Sequence, residues 1–197
     1  PNQLWSWDIT KLRGAEVGLF YYLYVVLDVY SRYVVGWMLA RRETAVLAEQ
    51  LLAECYARQE VTADQLTIHA DRGSSMRSKT VAVLLSDLGV TKSHSRPRVP
   101  DDNPFSEAQF KTMKYRPDYP ARFGSLADAR QWVRHVVHWY NQEHYHSALG
   151  LLTPASVHVG CVVVLIARRQ HVLPHTYPTL PHRSLPRLPP ICLYQTY

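Results

Sequence analysis

The stretch "FYYLYVVLDVYSRYVVGWMLA", residues 20–40, holds two extended apolar segments joined by the short turn "YSR". The first segment, residues 20–29, is aromatic and β-branched almost throughout, which is typical of a strand covered on both faces. The second, residues 33–40, follows closely enough to pair with the first as a hairpin. This hairpin decides the fold class, because everything around it must be compatible with a sheet.

A third strand precedes the hairpin. The segment "NQLWSWDIT", residues 2–10, alternates between two faces, as a strand requires. One face carries Trp5, Trp7 and Ile9, and the other carries Leu4, Ser6, Asp8 and Thr10. The chain therefore begins with three predicted strands.

Downstream of the hairpin, helices and strands alternate. From Thr44, a plausible N-cap, apolar residues recur at helical spacing. Residues 66–70 read as a short buried strand, and residues 78–87 as a helix that Gly89 ends. Residues 90–93 form a fifth strand.

Two further helices complete the order βββαβαβαα. One starts near Pro104, since proline suits the first helical turn, and the other spans about residues 125–143. This order predicts an α/β fold with a mixed five-stranded sheet and helices on both faces.

The composition fits one domain of ordinary size. Of 197 residues, 47% are hydrophobic and 19% charged, which argues for a packed core and against wholesale disorder. There is no run of eighteen apolar residues and no secretory signal pattern, so we expect neither a membrane span nor secretion. Three scattered cysteines suit a reduced, cytoplasmic protein.

The composition changes after Gly160, which divides the chain into residues 1–160 and a basic tail, 161–197. The tail has four arginines, six prolines and no acid, and it supplies +4 of the net charge of +6. Residues 161–170 could extend as one short strand or helix. From about residue 171 onward the prolines remove donors and block helix, so we expect irregular structure that packs little against the core.

Three carboxylates are candidates for chemistry. Asp8 is a charge within a strand between two tryptophans, Asp71 follows the strand "LTIHA", and Glu107 lies in the first turn of a helix. Carboxylates that converge repel each other unless a divalent cation binds them, and oxygen ligands without His or Cys suit Mg²⁺ or Mn²⁺. Each also has a structural explanation: Asp8 as a satisfied strand residue, Asp71 as a turn cap, and Glu107 as a complement to the helix dipole.

With these three carboxylates and the segments around them, the chain resembles a known family, the integrase core of bacterial insertion-sequence transposases, in the branch similar to retroviral integrases. The resemblance covers about residues 1–160. It rests on "WSWDIT" (5–10), "DVYSRYVVGW" (28–37), "HADRGS" (69–74), "DNPFSEAQFKTMKYRP" (102–117) and "WYNQEHYHSALGLLTP" (139–154). Thirty-five residues separate Asp71 from Glu107, the spacing for which the family's Asp–Asp–35–Glu triad is named.

The resemblance implies a ribonuclease H-like fold and a catalytic triad of Asp8, Asp71 and Glu107 that holds two Mg²⁺ or Mn²⁺ ions. The implied reaction is cleavage of the element's DNA ends, followed by strand transfer into target DNA by a homo-oligomer assembled on paired ends. It implies a bacterial cytoplasmic location at the nucleoid.

The resemblance also assigns neighbouring residues. Lys111 and Lys114, four and seven residues after Glu107, share its helical face and look suited to contacting the DNA end, or are ordinary solvated lysines. Asp28 matches a family position that looks structural. His69 either orients the site or packs at a strand end.

Further acids, histidines and cations could each bind a ligand or have a structural role. Asp101 and Asp102 belong to the loop before Glu107 and are interpreted as helix-entry turn residues. The histidines at 135, 138, 144 and 146 could suggest zinc, but we interpret them as surface helix and turn residues. Nine cations crowd one region and could form a binding face or a solvated surface; they are Lys92, Arg96, Arg98, Lys111, Lys114, Arg116, Arg122, Arg130 and Arg134.

Two other hypotheses remain open. One is a hydrolytic nuclease of the same fold, and the other is a non-catalytic, DNA-binding remnant of a transposase. The second is kept because the chain begins almost at the first catalytic strand, without the helix-turn-helix region that usually precedes this core. The tail also departs from the charged helical sequence expected there.

Overall fold

A computed structural model describes residues 1–70, 78–94 and 103–176 of the chain. In those residues three strands come first, and helices and strands then alternate. The strands are β1 (Leu4–Arg13), β2 (Phe20–Asp28), β3 (Val34–Ala40), β4 (Thr67–Ala70) and β5 (Thr91–His94). The helices are α1 (Ala45–Arg58), α2 (Lys79–Asp87), α3 (Pro104–Lys114), α4 (Leu126–Gln142), α5 (Pro154–His158) and α6 (Val162–Thr176), with a 3₁₀ turn at Ser147–Leu149.

The five strands form one mixed sheet in the order β3-β2-β1-β4-β5. The pairs β1/β2 and β2/β3 are antiparallel, whereas β1/β4 and β4/β5 are parallel. The predicted mixed five-stranded α/β fold is confirmed. β1 is central, with Asp8 opposite Val25 of β2 and Trp7 opposite Ala70, the last residue of β4.

One face of the sheet is covered by α1 and α2. Trp5 and Trp7 of β1 are buried there against Leu51 and Leu52 of α1 and Val81 of α2. The side-chain alternation predicted for β1 is therefore the one observed.

Glycine allows α1 to lie close to β3. A Cβ atom built on Gly36 would come within 2.1 Å of the sulfur of Cys55 in α1, a distance that no side chain could accept. Helix α1 begins where predicted, since the Thr44 hydroxyl accepts the Leu47 amide at 3.3 Å. Gly89 follows α2 at a φ of +64°, which ends that helix as predicted.

The opposite face packs against α3 and α4. Leu23 and Val25 of β2 are buried there with Met113 of α3 and with Val133 and Val136 of α4. Helices thus lie on both faces, and Asp8, whose side chain points away from the tryptophan face, lies on the α3 side.

The structure corrects the expectation for part of the tail. Residues Val162–Thr176 form α6, so irregular structure from about residue 171 is wrong for 171–176. No proline or glycine occurs between Cys161 and Leu173, and a helix can therefore propagate through twelve residues before Pro174. Residues 177–197, which hold the remaining prolines, lie outside the described residues.

Helix α6 exposes apolar side chains to solvent and is bonded to the core through Arg169. Val163 and Val164 are 76% and 70% exposed. Arg169 donates to the backbone carbonyl of Gly150 at 2.8 Å and also to that of Leu151. Within residues 1–70, 78–94 and 103–176, no helix is both long and apolar enough to span a membrane.

Candidate active site

Asp8 is half-buried in the middle of β1. One of its carboxylate oxygens, Oδ1, accepts the backbone amide of Ile9 at 2.7 Å. Ser6 and Thr10 flank it on the same face of the strand. These two neighbours show which part of α3 lies over Asp8.

At its first turn, α3 is held to β1 by buried polar side chains. The Ser6 hydroxyl donates to Oδ1 of Asn103 at 2.5 Å and lies 2.5 Å from the Ser106 hydroxyl. Asn103 also donates from Nδ2 to the Trp7 carbonyl at 3.3 Å. Each of Ser6, Asn103 and Ser106 is 1% exposed. Such fully buried polar contacts fix the two elements relative to each other.

The last turn of α3 also touches β1. The Lys114 ammonium donates to the Thr10 hydroxyl at 2.5 Å. Since Ser106 lies at Ser6 and Lys114 lies at Thr10, the helix runs along the strand and Asp8 lies between the two contacts. Glu107, half-buried and directly after Ser106, belongs to this segment of the helix. Asp8 and Glu107 therefore lie on the same side of the sheet, and their convergence on one metal site stays a prediction.

Asp71, the third predicted carboxylate, lies outside the described residues, as do Asp101 and Asp102. The strand before it is described: β4 runs parallel to β1 and ends with the pair Trp7↔Ala70. His69, one register position earlier, pairs with Ser6, and its Nδ1 lies 3.1 Å from the Ser93 hydroxyl of β5.

The two predicted DNA-contacting lysines differ in environment. Lys111 is exposed, whereas Lys114 is half-buried. Burial lowers the pKa of the Lys114 ammonium; the negative charge of Asp8 opposes that shift, and Arg13 adds to it. Lys114 is therefore close enough to Asp8 to contribute charge to the candidate site, while Lys111 faces solvent.

Sequence reasoning did not identify Ser6, Asn103 and Ser106 as supports of the site. A signal was present for Ser6, because the alternation of β1 placed it on the face of Asp8. For Asn103 the sequence held no such signal; its side chain makes no capping hydrogen bond and donates to the Trp7 carbonyl of β1.

Several cations of the predicted basic cluster have structural partners. Arg116 bonds Asp118 at 2.7 and 3.1 Å and lies 3.9 Å from the ring centre of Trp139. Arg122 donates to the carbonyls of Gly14 and Glu16, and Arg130 to that of Leu39. These three side chains tie elements together, while Arg96 and Arg98 lie outside the described residues.

Asp28 is fully buried, in agreement with the structural role expected for it. Its carboxylate accepts the Asn2 amide at 2.6 Å and both the amide and hydroxyl of Ser31, at 2.7 and 2.6 Å. Because protein donors already satisfy both of its carboxylate oxygens, Asp28 is a structural residue and is separate from Asp8 and Glu107.

The chemistry of the donor set fits a magnesium-type ion. Asp8 and Glu107 offer carboxylate oxygens, which are the ligands that Mg²⁺ and Mn²⁺ prefer. Among residues 1–70, 78–94 and 103–176, no group of three His, Cys, Asp or Glu side chains is placed to hold a metal ion, and Asp71 lies outside those residues. The same finding covers the four helix and turn histidines, which form no such group.

Two models of one family match the chain. Both are described as integrase core domain, and they match residues 1–100 and 88–154. The two matches together contain Asp8, Asp71 and Glu107, with the elements β1 to α4.

Curated relatives are transposases. The transposase for insertion sequence element IS904 of Lactococcus lactis is 32% identical over 158 residues, covering 78% of this chain and 60% of that protein. Transposase InsF for IS3A of Escherichia coli K12 is 34% identical over 155 residues, covering 78% of this chain and 53% of that protein. The chain thus spans between half and two thirds of the relatives' length.

Solved structures share the fold. The HTLV-2 integrase catalytic core domain in complex with magnesium superposes with a TM-score of 0.61 at 17% identity, covering 80% of this chain and 97% of that one. The BIV integrase catalytic core gives a TM-score of 0.57 at 19% identity, covering 84% and 99%. The architecture is thus that of retroviral integrase cores, as predicted, and the chain belongs to the integrase core domain family.

Proposed function

We propose that this chain is the catalytic core of a DNA transposase that cleaves the ends of its element and transfers them into target DNA. The observation that carries the proposal is the contact of α3 with β1. It holds Glu107 in the helical segment beside Asp8, within a chain whose family matches span both residues.

Asp8, Asp71 and Glu107 would hold the metal ions, two Mg²⁺ or Mn²⁺. The carboxylate donor set of the described pair supports this, and so does the end of β4 at Ala70, one residue before Asp71 and paired with Trp7. When bound, the ions supply Lewis-acid activation and neutralise developing charge in phosphoryl transfer. The buried contacts between Ser6, Asn103 and Ser106 keep α3 from shifting, which preserves the spacing of the two carboxylates.

The proposed reaction consists of two in-line phosphoryl transfers. In the first, a water oxygen attacks phosphorus and the bond from phosphorus to the 3′ oxygen breaks, leaving a 3′-hydroxyl on the element. In the second, that hydroxyl attacks a target phosphodiester, whose own 3′ oxygen departs. Each nucleophile loses one proton and each leaving oxygen gains one, so the chemistry needs no further reactant.

Lys111 and Lys114 would contact the DNA in different ways. The exposed Lys111 is placed to meet a phosphate directly. Lys114 is bonded to Thr10 and lies near Asp8, so its charge acts at the reacting end of the DNA and not on the outer surface.

The partners proposed are element ends, target DNA and further copies of this chain on paired ends, in the bacterial cytoplasm at the nucleoid. Trimeric and dimeric forms of the HTLV-2 core, and an intasome of a simian T-cell lymphotropic virus, are known structures of this fold and support assembly into a multimer.

The test uses a labelled duplex from the DNA flanking the gene, with supercoiled plasmid as target. Asp8→Asn, Asp71→Asn and Glu107→Gln each keep side-chain shape but remove a metal-binding charge. We expect each to abolish Mg²⁺-dependent cleavage and strand transfer while leaving the melting temperature unchanged. Glu54→Gln, a change of an exposed carboxylate on α1, is the matched control and should remain active.

The products separate the competing hypotheses. Joined products support a transposase, and nicks without joining would indicate a hydrolytic nuclease. DNA binding without either product would indicate a non-catalytic remnant. Near-normal cleavage by any one of the three variants would remove that residue from the proposed triad.

A further inference from the structure

The end of the β1–β2 ladder carries cations and aromatic rings on one face. Lys11 pairs with Tyr22 across the ladder, and Arg13 pairs with Phe20. Alternation places all four on the face opposite Asp8. We call Lys11, Arg13, Phe20 and Tyr22 the basic–aromatic face.

The basic–aromatic face is accessible. Lys11 and Arg13 are exposed, Phe20 is 37% exposed, and Tyr22 is half-buried. The Lys11 ammonium lies 5.8 Å from the ring centre of Phe20 and 5.5 Å from that of Tyr22. Both distances are within the range of a cation–π contact, so one lysine and two rings form a continuous surface.

The platform beneath this face is rigid. Tyr24, next along the same face of β2, is fully buried, and its hydroxyl accepts the Thr44 amide at 2.8 Å and donates to the Arg42 carbonyl at 3.2 Å. On the third strand Ala40 pairs with Tyr22, and the exposed Arg41 and Arg42 follow it. The rings are therefore presented by a three-stranded sheet and not by a loop.

The parts of β1, β2 and β3 around the basic–aromatic face, together with the connecting residues, carry a net positive charge. Residues 9–24 and 38–44 contain four cations and two acids, which are Glu16 and Glu43. A cationic sheet surface with accessible aromatic rings complements a polyanion that has flat unpaired bases.

We propose that the basic–aromatic face binds single-stranded DNA. The cations would contact phosphates and the rings would stack on unpaired bases, which a duplex keeps stacked on each other. The proposal rests on the proposed function and deepens it by adding a second DNA contact. Lys11 is three residues beyond Asp8 on the same strand, about 10 Å along it, and a strand separated at the cleavage point would reach the opposite face by passing around the end of the β1–β2 ladder.

A simpler explanation is that these pairs only stabilise the hairpin. Cross-strand cation–aromatic pairs make a small favourable contribution to the stability of a sheet. Both explanations predict a small loss of thermal stability on truncation. They differ in whether binding of single strands is lost, and in whether a conservative variant restores it.

The experiment measures fluorescence anisotropy of the full chain with a labelled oligothymidine of about 20 nucleotides, long enough to span a typical single-strand site, in EDTA. Tyr22→Leu keeps an apolar side chain but removes the ring, and Lys11→Ala removes the cation. We expect each to weaken oligothymidine binding by about ten-fold. Tyr22→Phe and Lys11→Arg should restore it, and Lys79→Ala, an exposed lysine on α2, is the matched control.

Each outcome has a definite meaning. Wild-type affinity in Tyr22→Leu and Lys11→Ala, or equal losses on duplex DNA, overturns the inference. Tighter binding of oligouridine than of oligothymidine would assign the face to RNA and overturn it as well. Cleavage of element ends is measured in parallel. If cleavage occurs but the two variants bind normally, only this inference fails; if they lose binding and no cleavage occurs, only the proposed function fails.

Discussion

Gln109 is a buried amide in α3, two residues after Glu107. It is 1% exposed, and neither its Nε2 nor its Oε1 has a hydrogen-bond partner in the part of the chain that the structure describes. Leaving such a group unpaired costs about 1–3 kcal/mol. Gln109→Met keeps an unbranched chain of similar length and removes both polar atoms.

We expect Gln109→Met to raise the melting temperature, by about 2–4 °C for each kcal/mol recovered. Gln142→Met, at the exposed last residue of α4, is the control and should change it little. A lower melting temperature in Gln109→Met, measured by thermal unfolding, would mean that the amide contributes more through packing than it costs through desolvation.

His158, the last residue of α5, joins separate parts of the chain. Its Nδ1 lies 3.0 Å from the Ser31 hydroxyl, its Nε2 lies 2.8 Å from Oε1 of Gln59, and its ring stacks on Tyr33 with centres 4.4 Å apart. Burial lowers the pKa of His158; the Asp28 carboxylate opposes that shift, and the N-terminal ammonium adds to it.

This lowered pKa makes stability depend on pH. As pH falls below the ordinary histidine value of 6.5, the unfolded chain takes up a proton at this residue before the folded chain does. The free energy of unfolding therefore decreases as the pH falls below 6.5, whereas above that pH the neutral His158 does not destabilise the fold. We expect the fall in melting temperature between about pH 7.5 and 5.5 to be smaller in His158→Gln than in the wild type.

The pH effect should be reduced and not removed, because burial also lowers the pKa values of His144 and His146. His138→Gln, at an exposed position on α4, is the control. If the melting temperature of His158→Gln depends on pH as strongly as that of the wild type, protonation of His158 does not contribute to the pH dependence of stability.

At the residue scale, the sequence predicted on which elements Asp8 and Glu107 lie but not what surrounds them. Helical spacing put Lys111 and Lys114 on the same face as Glu107. Spacing gives angles around the helix axis only, and which side meets the sheet depends on the contacts of Asn103 and Ser106 with β1. Those contacts join residues about a hundred positions apart, and no local pattern encodes them.

At the scale of elements, Asn141 of α4 makes two hydrogen bonds to the backbone of β3. Asn141 is 5% exposed; its Oδ1 accepts the Val34 amide at 2.9 Å, and its Nδ2 donates to the Val34 carbonyl at 3.1 Å. β3 pairs with β2 alone, so the amide of Asn141 satisfies two backbone groups of an edge strand.

Asn141→Leu keeps the volume and removes both hydrogen bonds. Two buried backbone groups then lose their partner, which we expect to cost about 2 kcal/mol or more and to lower the melting temperature by about 4–8 °C. The neighbouring exposed Gln142→Leu should change it little. If the melting temperature falls by a similar amount in Asn141→Leu and Gln142→Leu, the cause is the introduction of leucine into α4 and not the loss of hydrogen bonds to β3.

The long, strongly patterned elements were predictable. β1 showed two-residue alternation, and the apolar stripe of α4 proved to be its buried side, with Ala129, Val133 and Val136 among its members. The short α5 was not predicted, since five residues hold too little periodicity to recognise. For residues 161–170 a helix was one of two possibilities left open, and the continuation of α6 through residues 171–176 was missed because the prolines after residue 173 dominated the composition of the whole tail.

At the scale of the molecule, the division near Gly160 stays a prediction. The family matches end at residue 154, and the two buried clusters of the core draw on residues before the tail. Arg169 of α6 donates hydrogen bonds to the backbone carbonyls of Gly150 and Leu151. Exposed hydrogen bonds of this kind contribute little to stability, since water competes for the same carbonyls.

Truncation after Gly160 should therefore leave a folded core. Its melting temperature should lie within about 5 °C of that of the full chain, a limit set just beyond the shift of about 2–4 °C that 1 kcal/mol causes in a domain of this size. Solubility should improve, because the truncation removes the largely exposed Val163 and Val164. Arg169→Ala in the full chain is the matched comparison. It removes the hydrogen bonds from α6 to Gly150 and Leu151 but keeps the exposed Val163 and Val164. If truncation lowers the melting temperature by more than about 5 °C while Arg169→Ala does not, α6 stabilises the core through its apolar side, and the unit that folds extends beyond residue 160.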